Sequence, residues 1–230
     1  HHGVWDLALL QAVPGIRIAA PRDGTRLAEE LGEAVAVDDA PTVVRFPKGD
    51  VGEDLPAVER LHDGVDVLSR SERQDVLIVG VGPFARLALD VAALLEAHGI
   101  GATVIDPRWV IPVPASVVEL SAEHRLVITI EDGIRVGGIG TRVRQDLRAA
   151  GIDTAVDELG LPDRFLPHAS RNEILEEVGL TAKSIARAVV SQVLGTRIPV
   201  ARPLDEDADA VEREDVWADS GSTTPDDERR

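Results

Sequence analysis

Short β-rich runs alternate along this chain with stretches of helical period, and that alternation constrains the fold more than any other feature. The runs are Ile16 to Ala20, Thr42 to Phe46, Val76 to Val81, Ala102 to Ile105, Leu126 to Glu131 and Thr154 to Glu158. Strands separated by a helix pair in parallel through crossovers, so the pattern predicts an α/β fold with a mostly parallel sheet. The clearest helix spans Pro83 to His98, with Leu87, Val91, Leu94 and Leu95 on one stripe, Pro83 at its first position and Gly99 at its stop. A second follows Asp23 as N-cap, with Leu27, Leu31 and Ala34 expected to face inward. Ser170-Arg171-Asn172-Glu173 reads as a capping box opening a helix that Gly179 ends.

The stretch from Asp50 to Gln74 is rich in Asp, Glu, Gly and Arg, with weak periodicity, and reads as a connection. Residues 1–49 supply two strands and two helices, too few to close a core alone, whereas residues 75–195 hold four strands with helices between them. Residues 196–230 form an acidic tail. Eleven acids stand against three arginines from Asp205 to Arg230, a composition that buries too little surface to order itself.

The net charge is −17 and there is no cysteine. The charge argues against nucleic acid and anionic membranes as partners. The missing thiols exclude disulfides and thiolate metal sites, and they suit a reducing compartment, with the cytoplasm as the default. The longest apolar stretch, around Val76 to Ala85, is far short of the roughly 18 residues of a membrane span.

Several motifs carry chemistry. Thr42 to Gly49 is an apolar strand ending in Arg45 and Lys48 around Pro47, and ligands collect at the carboxyl ends of strands in open α/β sheets. Of 24 basic residues only Lys48 and Lys183 are lysines, so an ammonium here runs against the habit of the chain and points to a phosphate contact. Gly80-Val81-Gly82-Pro83-Phe84-Ala85 matches G-x-G-x-x-A, with Asp106 where a ribose-binding acid would stand. Pro83 removes a backbone N–H from the helix start, where diphosphate would be held, which favours a tight strand-to-helix turn over dinucleotide binding. Gly137-Gly138-Ile139-Gly140 could cradle an anion or let a loop pack closely. Glu131-Asp132 could be a catalytic acid pair, though a strand end or an interface contact is the simpler reading. His62, His98, His124 and His168 show no ligand spacing and read as surface or capping residues.

The segments His1-His2-Gly3-Val4-Trp5-Asp6-Leu7, Val13 to Asp23, Val44-Arg45-Phe46-Pro47-Lys48-Gly49, Val104 to Val110, Val127 to Asp132, Gly137 to Gly140 and Gly160-Leu161-Pro162 occur in order. Over roughly residues 1 to 195 the chain thereby resembles the 1-deoxy-D-xylulose-5-phosphate synthases. The wider clan includes transketolase and the β subunit of 2-oxo-acid dehydrogenase E1. The resemblance implies the C-terminal part of a pyrimidine-type thiamine-enzyme domain at residues 1–49, a linker at 50–74 and a transketolase C-terminal-like α/β domain at 75–195. It also implies a transferase that condenses pyruvate with D-glyceraldehyde 3-phosphate, releases carbon dioxide and serves isoprenoid, thiamine and pyridoxal synthesis. Thiamine diphosphate and Mg²⁺ would be the cofactors, and a homodimer the assembly.

On that resemblance His1 is the proton-handling catalytic residue, Lys48 a contact for the aldehyde phosphate, and Arg45 a weaker substrate-binding candidate that could instead pair with an internal acid. The family's Gly-Asp-Gly to Asn segment for Mg²⁺ and diphosphate, and the glutamate that activates the thiamine ring, are expected upstream of His1. The chain contains no methionine and starts inside a family motif, so a fragment inactive on its own is expected. His1-His2 has the alternative origin of a purification-tag remnant. Transketolase or an E1 β subunit, and a non-catalytic dimerisation module at residues 75–195, are the competing readings.

Overall fold

A computed structural model describes residues 3–49 and 51–195. The elements run in the order α1 (Asp6–Leu10), β1 (Arg17–Ala19), α2 (Gly24–Ala36), β2 (Thr42–Val44), β3 (Glu59–Arg60), β4 (Asp66–Arg70), β5 (Val76–Gly80) and α3 (Phe84–Glu96). They continue with β6 (Ala102–Asp106), β7 (Trp109–Ile111), α4 (Ala115–Glu123), β8 (Leu126–Ile134), α5 (Ile139–Ala149), β9 (Ala155–Leu161), α6 (Arg171–Glu177) and α7 (Ala182–Val193). His1 and the 196–230 tail lie outside the described residues.

The larger sheet has the order β3-β4-β6-β5-β8-β9. Its β6, β5, β8 and β9 are parallel, and β3 and β4 add an antiparallel edge. Strand β5 is central and buried on both faces, which is why Val-Leu-Ile-Val reads as a continuous apolar run. Alternation sorts its residues. Val76 and Ile78 join the core under α3 and α7, while Leu77 and Val79 join the opposite core with Ile18, Leu7, Val117 and Val143. On α3 the buried line is Phe84, Ala88, Val91 and Leu95, with Leu87 and Leu94 only partly covered. Asp23 caps α2 by accepting the Arg26 N–H at 2.8 Å, and the Ser170–Glu173 capping box forms as expected.

The smaller sheet has the order β2-β1-β7. β1 pairs in parallel with β2 and antiparallel with β7, so the sheet takes strands from both sides of the expected connection. That connection is also not structureless. β3 and β4 lie within it, and Asp66 to Arg70 pairs along β6. Sequence reading missed β4 because its first residue, Asp66, is an acid fully buried by pairing rather than a surface charge. Leu31 departs from expectation as well, being exposed on α2 together with Val35.

The two sheets meet at a buried charge cluster. The Arg22 Nη1 donates to Asp66 Oδ2 at 2.7 Å and to Asp106 Oδ2 at 2.6 Å. Its Nε and Nη2 donate to the Leu55 carbonyl at 3.0 and 2.8 Å. Burial pushes Asp106 up to about 6 against the pull of Arg22, while Arg60 and Arg22 overcome burial at Asp66 and hold it below the usual carboxylate range. Beside them Arg108, whose φ is 59°, pairs with Glu33 at 2.5 Å. Glu30 is fully buried and neither of its oxygens has a hydrogen-bond partner among the described residues. Burial, reinforced by the neighbouring Asp106, pushes its carboxyl up to about 9.

Arg22→Ala leaves the fully buried Asp106 without its cation while Asp66 keeps Arg60, and we expect it to cost about 3–5 kcal/mol in chemical denaturation. Glu30 has a folded pKa above its unfolded one. Its contribution is therefore fully present at acid pH and is lost as pH rises from about 4.5 toward about 9. Glu30→Gln should remove that dependence, so the variant gains on the parent by on the order of 3 kcal/mol between pH 5 and pH 9 in urea titrations.

Candidate functional site

Strand β2 ends where α1 begins and where β8 emerges, and these three ends border a cleft of about 500 Å³. Its fourth wall is the segment from Leu161 through α6. Arg45 follows β2 directly, fixed by its own N–H to the Ala19 carbonyl at 2.8 Å. Its Nε donates to Asp6 Oδ2 at 3.1 Å and its Nη2 to the Asp132 carbonyl. The expectation that Arg45 meets internal acids therefore describes its contacts, and it lines the cleft as well. Lys48 is exposed and lines the same cleft.

Asp132 sits at the cleft and accepts from Arg171 Nη2 at 2.9 Å, with Arg45 Nη1 3.7 Å away. The Arg171 guanidinium carbon lies 5.3 Å from the centre of the Phe84 ring, within cation–π range. Arg164 and His168 complete the polar lining, and Trp5, Phe46, Phe165 and Leu166 supply apolar walls. Trp5 and Phe165 meet edge to face at 6.2 Å.

Glu131 and Asp132 do not act as a pair, because successive strand residues point to opposite faces. Glu131 is buried, and its carboxylate accepts the N–H groups of Ile139 and Gly140, each at 3.0 Å. Burial nevertheless pushes it up to about 7. The Gly137-Gly138-Ile139-Gly140 motif thus does cradle an anion, but that anion belongs to the chain. A Cβ on Gly138 would stand 2.5 Å from Glu131 Oε1, so only glycine leaves room for the carboxylate.

The dinucleotide pattern is likewise accounted for from within. A Cβ on Gly80 would stand 2.8 Å from Ala85 Cα, so the glycine permits close strand-to-helix packing. Asp106 is fully buried against Arg22 and out of reach of a ribose.

Sequence reading offered Asp132 only as half of an acid pair with Glu131, and it did not find Arg164, His168 or Arg171 as cleft residues. The capping box at Ser170 located α6 but gave no sign that its first residue faces β2. His124, expected at the surface or as a cap, is buried, its Nδ1 donating to the Leu120 carbonyl at 2.7 Å and its Nε2 hydrogen-bonded with Thr103 Oγ1 at 3.0 Å. Among the described residues no three His, Cys, Asp or Glu side chains gather as a metal site, and no helix is long and apolar enough to cross a membrane.

Known proteins resemble this chain in sequence and fold. The profile for the transketolase pyrimidine binding domain matches residues 1–53, and that for the transketolase C-terminal domain matches residues 66–185. The 1-deoxy-D-xylulose-5-phosphate synthase of Clavibacter sepedonicus is 70% identical over 211 residues, covering 92% of this chain and 32% of that protein. The synthase of Leifsonia xyli subsp. xyli is 70% identical over 204 residues, covering 89% and 31%. The chain therefore spans about a third of the length of these relatives. Among solved structures, a split-gene transketolase described as an inactive β4 tetramer superimposes with a TM-score of 0.70 at 28% identity, covering 84% of this chain and 62% of that one. A transketolase from Pichia stipitis has the same fold, with a TM-score of 0.65 at 19% identity over 84% of this chain and 27% of its own. With the C-terminal domain profile matching more than half of its residues, the chain belongs to the transketolase family.

Proposed function

We propose that the chain is the C-terminal portion of a thiamine diphosphate-dependent 1-deoxy-D-xylulose-5-phosphate synthase. The whole enzyme would condense pyruvate with D-glyceraldehyde 3-phosphate and release carbon dioxide, on the way to isoprenoid, thiamine and pyridoxal precursors. The observation that carries this reading is Lys48, exposed in a cation-lined cleft at the end of β2 in a chain 70% identical to such synthases. Identity at that level favours the synthase over transketolase, whose split-gene relative stands at 28%.

In this reading Lys48 contacts the phosphate of the aldehyde as a point charge. Arg45, tied to Asp6 and Asp132, lends positive potential and orients the cleft wall. His1 is the proposed proton-handling group, since imidazole titrates close to neutral pH. Thiamine diphosphate supplies the ylid that stabilises the carbanion when it is bound. Its anchoring through Mg²⁺ and the diphosphate is proposed to lie in polypeptide outside this chain.

A homodimer is proposed as the assembly, supported by Leu9, Leu31, Val35 and Val136, which are large apolar side chains left exposed. The lack of cysteine suits the cytoplasm. The proposed domain division places residues 1–49 in the pyrimidine-type domain and 75–195 in the C-terminal one. The segment 50–74 between them contributes β3 and β4 to the larger sheet.

The chain alone should yield no product from pyruvate, D-glyceraldehyde 3-phosphate, Mg²⁺ and thiamine diphosphate. Co-expression with the N-terminal two thirds of the Clavibacter synthase should restore turnover, and Lys48→Gln in that complex should raise the KM for the aldehyde about tenfold, with a smaller change in kcat. Turnover by the chain alone would overturn the proposed inactivity. A KM untouched by the substitution would remove Lys48 from the site.

A further inference from the structure

The cleft reverses the charge habit of the chain. Acidic residues outnumber basic ones 41 to 24 overall, yet the cleft lining holds Arg45, Lys48, Arg164 and Arg171 against only Asp6 and Asp132. Lys48 comes from the end of β2 and Arg171 from the start of α6, two elements that are far apart in sequence and face one cavity.

Arg171 is held in place before any ligand arrives. One of its terminal nitrogens donates to Asp132 Oδ2 at 2.9 Å, and the guanidinium carbon lies 5.3 Å from the Phe84 ring centre. A guanidinium has five N–H donors, so the bond to Asp132 leaves most of the fork available. Asp132 also faces Arg45 at 3.7 Å, and Arg45 donates to Asp6 at 3.1 Å, so the two guanidiniums are balanced by two carboxylates and the exposed Lys48 adds positive charge beside them. A side chain ordered in advance loses less entropy when it binds, and arginine's planar fork matches an oxyanion better than a point charge does. The apolar walls of Trp5, Phe46, Phe165 and Ile174 suit a ligand with a short carbon skeleton and one anionic end.

We propose that Arg171 is a second phosphate-binding residue of this cleft, with Asp132 as the positioning residue that aims it, so that a phosphorylated small molecule is held between the end of β2 and the start of α6. The inference rests on the reading of Lys48 as a phosphate contact and extends it to the C-terminal domain. Arg171 would grip the phosphate in two places and set specificity for a doubly charged end, while Lys48 supplies attraction with little geometric demand.

Inorganic phosphate is the probe, titrated into the 230-residue chain at constant ionic strength and followed by calorimetry and by melting temperature. Saturable binding is expected. Lys48→Gln and Arg171→Gln should each weaken it about tenfold, Arg171→Lys should fall between Arg171→Gln and the parent, and Arg142→Gln on α5 should change nothing. Asp132→Asn gives the sharper readout. Removal of a negative charge would by itself tighten phosphate binding, so weaker binding in this variant marks loss of positioning. Circular dichroism of each variant checks that it is folded, and Arg171→Lys carries the test if Arg171→Gln is not.

The outcomes separate the two readings. Parental affinity in the Arg171 variants with loss in Lys48→Gln overturns this inference and leaves the Lys48 reading standing. Loss in the Arg171 variants with parental affinity in Lys48→Gln defeats the Lys48 reading and the clamp built on it. Absence of saturable binding overturns both, and tighter binding in Asp132→Asn removes the positioning role.

Discussion

The structure depends on one buried guanidinium. Arg22 stands just before α2 and reaches Asp66 on β4, Asp106 at the end of β6 and the carbonyl of Leu55, and its side chain and both acids are wholly shielded from water. Such an arrangement gains little net stability over an apolar equivalent, because desolvating three charges costs nearly as much as their attraction returns. What it supplies is registry. An apolar contact tolerates sliding, whereas Arg22 is satisfied only when β4, β6 and the start of α2 hold fixed positions. That fixes the small sheet against the large one, and so sets the end of β2, with Arg45 and Lys48, against the end of β8, with Asp132.

Strand β8 then divides two carboxylates that are adjacent in sequence. Glu131 turns inward and closes the start of α5 with hydrogen bonds from Ile139 and Gly140. Asp132 turns to the cleft and meets Arg171. The inward acid braces the loop from which the outward acid is presented. A change at Glu131 would therefore be felt in the cleft without touching any ligand, through the position of the strand they share.

The parts of the fold legible in the sequence were those whose burial is unambiguous. Val76 to Gly80 is apolar on both faces, and α3 follows it with a clear stripe and a glycine stop, so both could be placed from pattern alone. β4 was illegible because its leading residue is an acid, and a paired buried acid looks like a solvated one until its cation is located. β7 has three residues and no helix before it, and only its pairing with β1 makes it a strand. Periodicity alone turns Leu31 inward, yet it lies outside the covered arc of α2, where Glu30 and Ala34 are the buried positions. At the cleft, Lys48 could be found because lysine is rare in this chain and follows an apolar strand. Arg171 could not, since one arginine among many on a polar helix carries no signal, and only folding brings it to the same cavity.

The candidate ligand sites that sequence motifs suggested also discriminate among themselves once their occupants are known. The glycine-rich turn at Gly137 to Gly140 has its amides filled by Glu131, and Asp106, which would serve a ribose, is consumed by Arg22. Each of these motifs is satisfied by the chain's own side chains, and displacing an internal partner would leave a buried charge uncompensated at a cost of several kcal/mol. The end of β2 differs. Lys48 is exposed, its neighbours Arg45 and Arg171 meet Asp6 and Asp132, and apolar walls leave room beside them. An anion entering there neutralises excess positive charge rather than competing with an existing pair. The same electrostatic reasoning that rules out the two glycine motifs as external sites therefore favours this cleft.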